Sequence, residues 1–171
     1  DCRAFMAGPG GDPEQKDETM TVAITINEPI LDQLGELIRL EYLGEKLLER
    51  ASRHLNDPRE VAHLWALATE YRDHARILRR HRREIDKTAE EIEYPRWARG
   101  KGPSPEDALK EVAEITRKLA GEYRSTVSLH DNAYLKKFLT ILAAEHDSVA
   151  TLLECLETGK SIFFELEEPV S

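Results

Sequence analysis

Three polar side chains lie on helical stripes that are otherwise apolar: Glu41, His74 and His146. Around Glu41, leucines follow one another in steps of three, four or seven from Leu34 to Leu48, and the glutamate belongs to the same series. The two histidines have the same relation to the apolar residues of later helices. An ionised carboxylate among leucines costs several kcal/mol unless a cation or hydrogen-bond donors compensate it. Carboxylate and imidazole are also ligands that Fe, Mn and Zn accept, so the pattern suggests a metal centre.

The turn between the first two helices predicts that Glu41 and His74 face each other. Asp57 is a good N-cap and Pro58 suits the first helical position, so the second helix should begin at this point. Glu41 lies sixteen residues before Asp57 and His74 lies seventeen after it. At about 1.5 Å of rise per residue, both reach the same depth, roughly 25 Å from the turn. Without a metal, protonated His74, Tyr71 or an ion pair with Arg117 would have to compensate Glu41.

The whole chain predicts an all-α fold, a four-helix bundle. The third helix should begin at Ser104-Pro105, which combines an N-cap with a proline, and the fourth should follow the Asp131-Asn132 turn. Residues 94–105 form the one substantial connection, with Trp97 as its expected anchor, and their length leaves open whether it crosses the bundle. We expect three regions: a flexible or extended N-terminal tail (1–26), the bundle (27–158) and a C-terminal tail packed on it (159–171).

Two short segments outside the bundle carry further expectations. Residues 21–26 alternate between polar and apolar types, which predicts an extended segment packed on the bundle. After Gly159, Ile162 to Phe164 and Leu166 are costly to leave in water, so they should pack down. The arginines of the second helix have acidic helix neighbours and indicate a solvated, salt-bridged face.

Composition narrows the functional classes. The 171 residues are 40% hydrophobic and 33% charged, with a net charge of −9. An acidic chain is a poor partner for nucleic acid or an anionic membrane, and no apolar run approaches the ~20 residues that span a bilayer. The sequence shows no secretory leader pattern, so we expect the protein to be cytoplasmic. Cys2 and Cys155 have no metal-binding or redox spacing, and no phosphate loop or nucleophile elbow is present.

The first hairpin resembles a known family. Residues 40–52, LEYLGEKLLERAS, and residues 66–78, ALATEYRDHARIL, are similar to the first half of rubrerythrin-like members of the ferritin-like superfamily. Residues 104–119 and 141–153 resemble the second half less closely. The resemblance implies a glutamate on the first helix of each half and a Glu-x-x-His pair on the second, which together hold two irons. Glu41, His74 and His146 match this set.

The other ligand positions of the family depart from its pattern. Tyr71 and Ala143 stand three residues before the two histidines, where the resemblance would place glutamates, and Tyr71 is a further candidate ligand or donor. Three nearby glutamates are candidate ligands if the helices shift. Glu70 is one residue out of register, Glu145 is adjacent to His146, and Glu122 is offset by roughly 9 Å along the third helix.

Two functional hypotheses follow. In the first, the bundle holds one or two transition metal ions, Fe or Mn, with oxidase or peroxide-related redox chemistry as the activity implied by the resemblance. In the second, a metal-free ferritin-like bundle acts as an oligomerising or partner-binding module. The resemblance implies a homo-oligomer in either case.

Overall fold

A computed structural model describes residues 14–94, 96 and 102–163 of the chain, with side chains from Glu28 onward. This part of the chain forms four helices, α1 (Glu14–Ala51), α2 (Pro58–Ile85), α3 (Pro105–Val127) and α4 (Ala133–Glu157). The predicted all-α four-helix bundle is therefore confirmed. Among the described residues, none of these helices is long and apolar enough to span a membrane.

The predicted helix starts are set by N-caps. The Asp57 side chain accepts a hydrogen bond from the Arg59 amide at 2.8 Å, and Pro58 takes the first position of α2. Ser104 and Asn132 cap α3 and α4 through the amides three residues further on, at 3.0 and 3.1 Å. Each cap satisfies an amide that has no partner within its own helix, so these short motifs determine where the helices begin.

The described ends of the connection between the two hairpins lie at opposite ends of the bundle. Arg82, near the end of α2, donates to the Leu31 carbonyl of α1 at 3.2 Å. At the opposite end of α1, Arg50 donates to the carbonyl of Gly102, just before α3, at 3.4 Å. The connection thus leaves α2 at one end of the bundle and enters α3 at the other, so α3 is parallel to α2. One long crossover of this kind is characteristic of ferritin-like bundles.

The helix α1 lies at the centre of the packing. It packs against both α2 and α3, while α4 packs against α3. Leu34, Leu37, Leu48 and Ala51 are fully buried, so the apolar stripe predicted for α1 does face the core. This packing places the middle of α1, with Glu41, where all four helices meet.

The N-terminal segment differs in part from expectation. Backbone helix begins at Glu14 and includes residues 21–26, for which the sequence alternation predicts an extended conformation. A helix satisfies its own amides, whereas the described part of the chain offers this segment no strand to pair with. Pro29 lies inside α1, where it has no N–H to donate to the preceding turn. Residues 1–13 of the predicted tail lie outside the described residues.

The crossover and the C-terminal segment pack on the bundle through a few apolar side chains. Ile92 is 8% exposed, and the Tyr94 ring meets Tyr42 edge-on at 4.7 Å between centroids. Ile162 is partly buried against the core, and the Phe163 ring lies 6.3 Å from that of His63. Trp97, Phe164 and Leu166, which the sequence also assigns to packing, lie outside the described residues.

Candidate metal centre

The side chains of Glu41, His74 and His146 meet between the helices. One carboxylate oxygen of Glu41, Oε1, lies 3.5 Å from Nδ1 of His74 and 3.3 Å from Nε2 of His146. One ligand atom from each residue lies within 4.8 Å of the others. The side chains of Glu41 and His146 are 0% and 2% exposed, whereas that of His74 is 15% exposed. The structure therefore brings together a carboxylate and two imidazoles, with access to solvent on the His74 side.

The ring of His146 is held in one orientation by its own helix. Its Nδ1 donates to the Leu142 carbonyl at 2.8 Å, because a carbonyl can only accept. In the neutral imidazole, the lone pair is then on Nε2, which points at the Glu41 carboxylate. Such a backbone acceptor is the usual way in which a metal-binding histidine is oriented.

Several atoms of this cluster are buried without a hydrogen-bond partner. They are Oε2 of Glu41, Nδ1 of His74 and Nε2 of His146. Buried polar atoms are nearly always paired in folded proteins. The two nitrogens both face the Glu41 carboxylate, at 3.5 and 3.3 Å from Oε1, so these atoms call for a shared partner. A cation between them would satisfy all three.

The residues of this cluster shift one another's pKa values. Burial opposes ionisation of Glu41, but the hydrogen bonds and charges of His146 and His74 lower its pKa below the ordinary glutamate value. Burial likewise opposes protonation of His74, yet Glu41, with smaller contributions from Glu145 and Glu70, raises the pKa of this histidine. Glu41 is thus ionised at neutral pH and attracts positive charge, whether a proton on His74 or a metal ion.

Tyr123, which the sequence pattern does not single out, is a direct neighbour of the cluster. Its hydroxyl donates to Oε1 of Glu41, and its ring lies 5.2 Å from that of His146. Burial and the Glu41 charge raise the pKa of Tyr123 well above its ordinary value, so it remains a donor. From Leu119, a step of three along the helix leads to Glu122 and a step of four leads to Tyr123, and both steps are typical of one helix face.

Tyr71 is buried beside the two histidines. Its ring centroid lies 4.9 Å from that of His146 and 6.5 Å from that of His74. The Tyr71 hydroxyl lies 2.7 Å from Oγ1 of Thr116, which itself donates to the Val112 carbonyl, so the tyrosine is the donor. This hydrogen bond directs the phenol hydroxyl to Thr116 on α3.

The remaining predicted ligands lie elsewhere. Glu70 and Glu145 are exposed, and their effect on the cluster is limited to their charges near His74. Glu122 accepts a hydrogen bond from Gln33 of α1 at 2.6 Å. Arg117, the alternative partner for Glu41, pairs with Glu154 on α4.

The solved structures with this architecture include proteins that were soaked in iron. A PmFTN variant soaked in iron for 5 min aligns with a TM-score of 0.57 and 18% identity, covering 77% of this chain and 87% of that one. Another PmFTN variant, soaked for 45 min, gives a TM-score of 0.56 and 20% identity over 77% and 88% of the two chains. The chain has a ferritin-like fold. No family model matches the sequence of this ferritin-like chain, and no curated protein matches it either.

Proposed function

We propose that this ferritin-like protein binds a transition-metal ion between Glu41, His74 and His146, with iron as the first candidate. The observation that supports the proposal is the close grouping of one ligand atom from each of the three residues, all of which also have a buried atom without a hydrogen-bond partner. Iron is favoured over Mn because the solved structures with this fold were soaked in iron.

Protonation alone accounts less completely for the cluster. A proton on Nδ1 of His74 would neutralise the Glu41 charge. It would leave the Nε2 lone pair of His146 directed at a carboxylate oxygen 3.3 Å away. A divalent cation accepts both lone pairs and the carboxylate at once, which is the donor set of two-histidine, one-carboxylate sites.

The surrounding residues suit such an ion. Leu142 orients the His146 ring, Tyr123 hydrogen bonds with Glu41, and burial excludes bulk water from two of the three ligands. His74 is the ligand that solvent reaches, so a small molecule would approach from its side. When bound, iron supplies a one-electron redox couple, and this is the basis for proposing oxidase or peroxide-related chemistry.

The direct test is metal content. We expect protein purified without chelator and titrated anaerobically with Fe²⁺, Co²⁺, Zn²⁺ or Mn²⁺ to bind about one ion per chain, and Glu41→Gln combined with His74→Gln to abolish binding. The matched control is Glu84→Gln with His81→Gln, which removes the same residue types from a surface ion pair whose N–O distance is 3.0 Å. Oxidation of bound Fe²⁺ by O₂ or H₂O₂, followed by absorbance, tests the redox part separately.

Metal content near zero after reconstitution would overturn this proposal. The metal-free module would then remain, with oligomerisation as its first property to examine by sedimentation. Metal content that the double substitution at Glu41 and His74 does not lower would place any bound ion elsewhere.

A further inference from the structure

Tyr71 occupies the interior next to the proposed ion without serving as a ligand to it. We infer that its ring limits the centre to a single metal ion by filling the space in which a second ion would be held. This inference rests on the proposed function and specifies its stoichiometry.

Contacts from three helices fix the Tyr71 ring. On α1, Gly44 has no side chain, and a Cβ there would lie only 2.5 Å from ring carbons of Tyr71. On α3, Thr116 holds the hydroxyl, and on α4 the His146 ring lies 4.9 Å away. With 1% of the residue exposed, the ring cannot move aside without displacing a helix.

The hydroxyl of Tyr71 is also withdrawn from coordination. It donates to Thr116, whose own proton is used on the Val112 carbonyl, so the phenol completes a chain of hydrogen bonds on α3. The side chain therefore takes up space beside the ion and contributes no negative charge.

Charge balance supports the same stoichiometry. Glu41 is the one carboxylate in the described metal cluster. The next buried carboxylate along α1, Glu45, is ion-paired with Arg72. Two divalent ions beside a single carboxylate would leave a net charge of about +3 in the core, whereas one ion leaves about +1. Dinuclear centres in such bundles use a glutamate from every helix.

The chain offers two positions at which these carboxylates could be added. Tyr71 and Ala143 each lie three residues before a cluster histidine, and both are buried, at 1% and 3% exposure. Replacing both by glutamate would create a Glu-x-x-His pair on α2 and on α4. It would also remove the ring from the interior.

The test is a count of bound ions by Co²⁺ titration, followed by absorbance and by elemental analysis after gel filtration. We expect the wild type to saturate at one Co²⁺ per chain and the Tyr71→Glu, Ala143→Glu variant at two. The control Tyr134→Glu with Ala144→Glu exchanges the same residue types at exposed positions of α4 and should remain at one.

Each outcome has a distinct meaning. Two ions in the wild type would overturn the inference and leave the proposed function standing, whereas none would overturn the proposed function itself. One ion in a folded Tyr71→Glu, Ala143→Glu variant would show that Tyr71 is not what excludes the second ion. If that variant does not fold by circular dichroism, Tyr71→Phe, which keeps the ring, is expected to bind one ion, and two would overturn the inference.

Discussion

The two oxygens of the Glu41 carboxylate have different surroundings. Oε1 accepts from Tyr123 and faces both histidines, while Oε2 is buried without a hydrogen-bond partner. One oxygen is therefore held in place by the protein, and the other keeps its lone pairs unused. This asymmetry makes Glu41 the first residue to test in the proposed centre.

Glycine at position 44 is required by the close approach of Tyr71. We expect Gly44→Ala to lower the melting temperature, because forcing a methyl group against the ring costs about 1–3 kcal/mol and outweighs a gain of roughly 1 kcal/mol in helix propensity. Thermal unfolding followed by circular dichroism measures the change.

Gly121→Ala is the matched control for this substitution. A Cβ at this α3 position would meet nothing within 4 Å, so alanine should stabilise the protein by roughly 0.5–1 kcal/mol. Equal changes in the melting temperature of the two variants, in the same direction, would contradict the role assigned to Gly44.

Individual residues of the centre differ in how readily the sequence reveals them. Glu41 and His74 could be paired by counting from the Asp57 turn, since helix rise is constant. Tyr123 could not, because steps of three and four from Leu119 are equivalent until the neighbouring helix is known. The close contact between Gly44 and Tyr71 depends on the distance between α1 and α2, which local pattern does not determine.

The α1–α2 pair holds a second buried carboxylate. Glu45 is fully buried and accepts from Nε of Arg72 at 2.6 Å, while Arg72 is 38% exposed. Arg72 also reaches Glu49 at 3.3 Å. This pair anchors α2 to α1 one helical turn from Glu41, so it supports the position of the proposed ligand.

Removing the cation of this pair should destabilise the protein. Breaking a buried ion pair costs about 3–5 kcal/mol, and because Arg72 is partly exposed we expect Arg72→Met to lower the free energy of unfolding by about 1–3 kcal/mol. Urea denaturation measures this loss of free energy. Adding Glu45→Leu should recover most of the loss, since no charge is then left buried.

The control is Arg76→Met, one turn further along α2. Its ion pair with Asp73 has side chains that are 65% and 54% exposed, and such pairs contribute little. If Arg76→Met lowered the free energy of unfolding as much as Arg72→Met, the importance given to burial would be contradicted.

The assembled bundle was only partly predictable. Helix number and type followed from apolar periodicity, and the starts of α2, α3 and α4 followed from their capping residues. The direction of the crossover did not, because it depends on which helix faces pair, and residues 94–105 have no strong local preference. The backbone start of α1 at Glu14 was also missed, since the alternating residues 21–26 favour another conformation locally.

Metal binding should stabilise the whole domain. An ion at one hundred times its dissociation constant adds about 2.7 kcal/mol to the free energy of unfolding, which corresponds to roughly 5–10 °C in melting temperature for a chain of this size. Scanning calorimetry with and without Fe²⁺ or Co²⁺ measures the shift, and chelator should reverse it. Glu41→Gln should show no shift, and a shift of wild-type size in this variant would argue against the centre.

The two histidines come from helices that meet through side chains. Among the described residues, α2 and α4 make no close backbone contact, and their rings at His74 and His146 are 5.6 Å apart. An ion bound by both would close a loop of 72 residues that contains the entire crossover and α3. Such a link restricts the unfolded chain as a disulfide would, and Cys155, the cysteine in the described part of the chain, forms none. Unlike a disulfide, it would open and close with the availability of the metal.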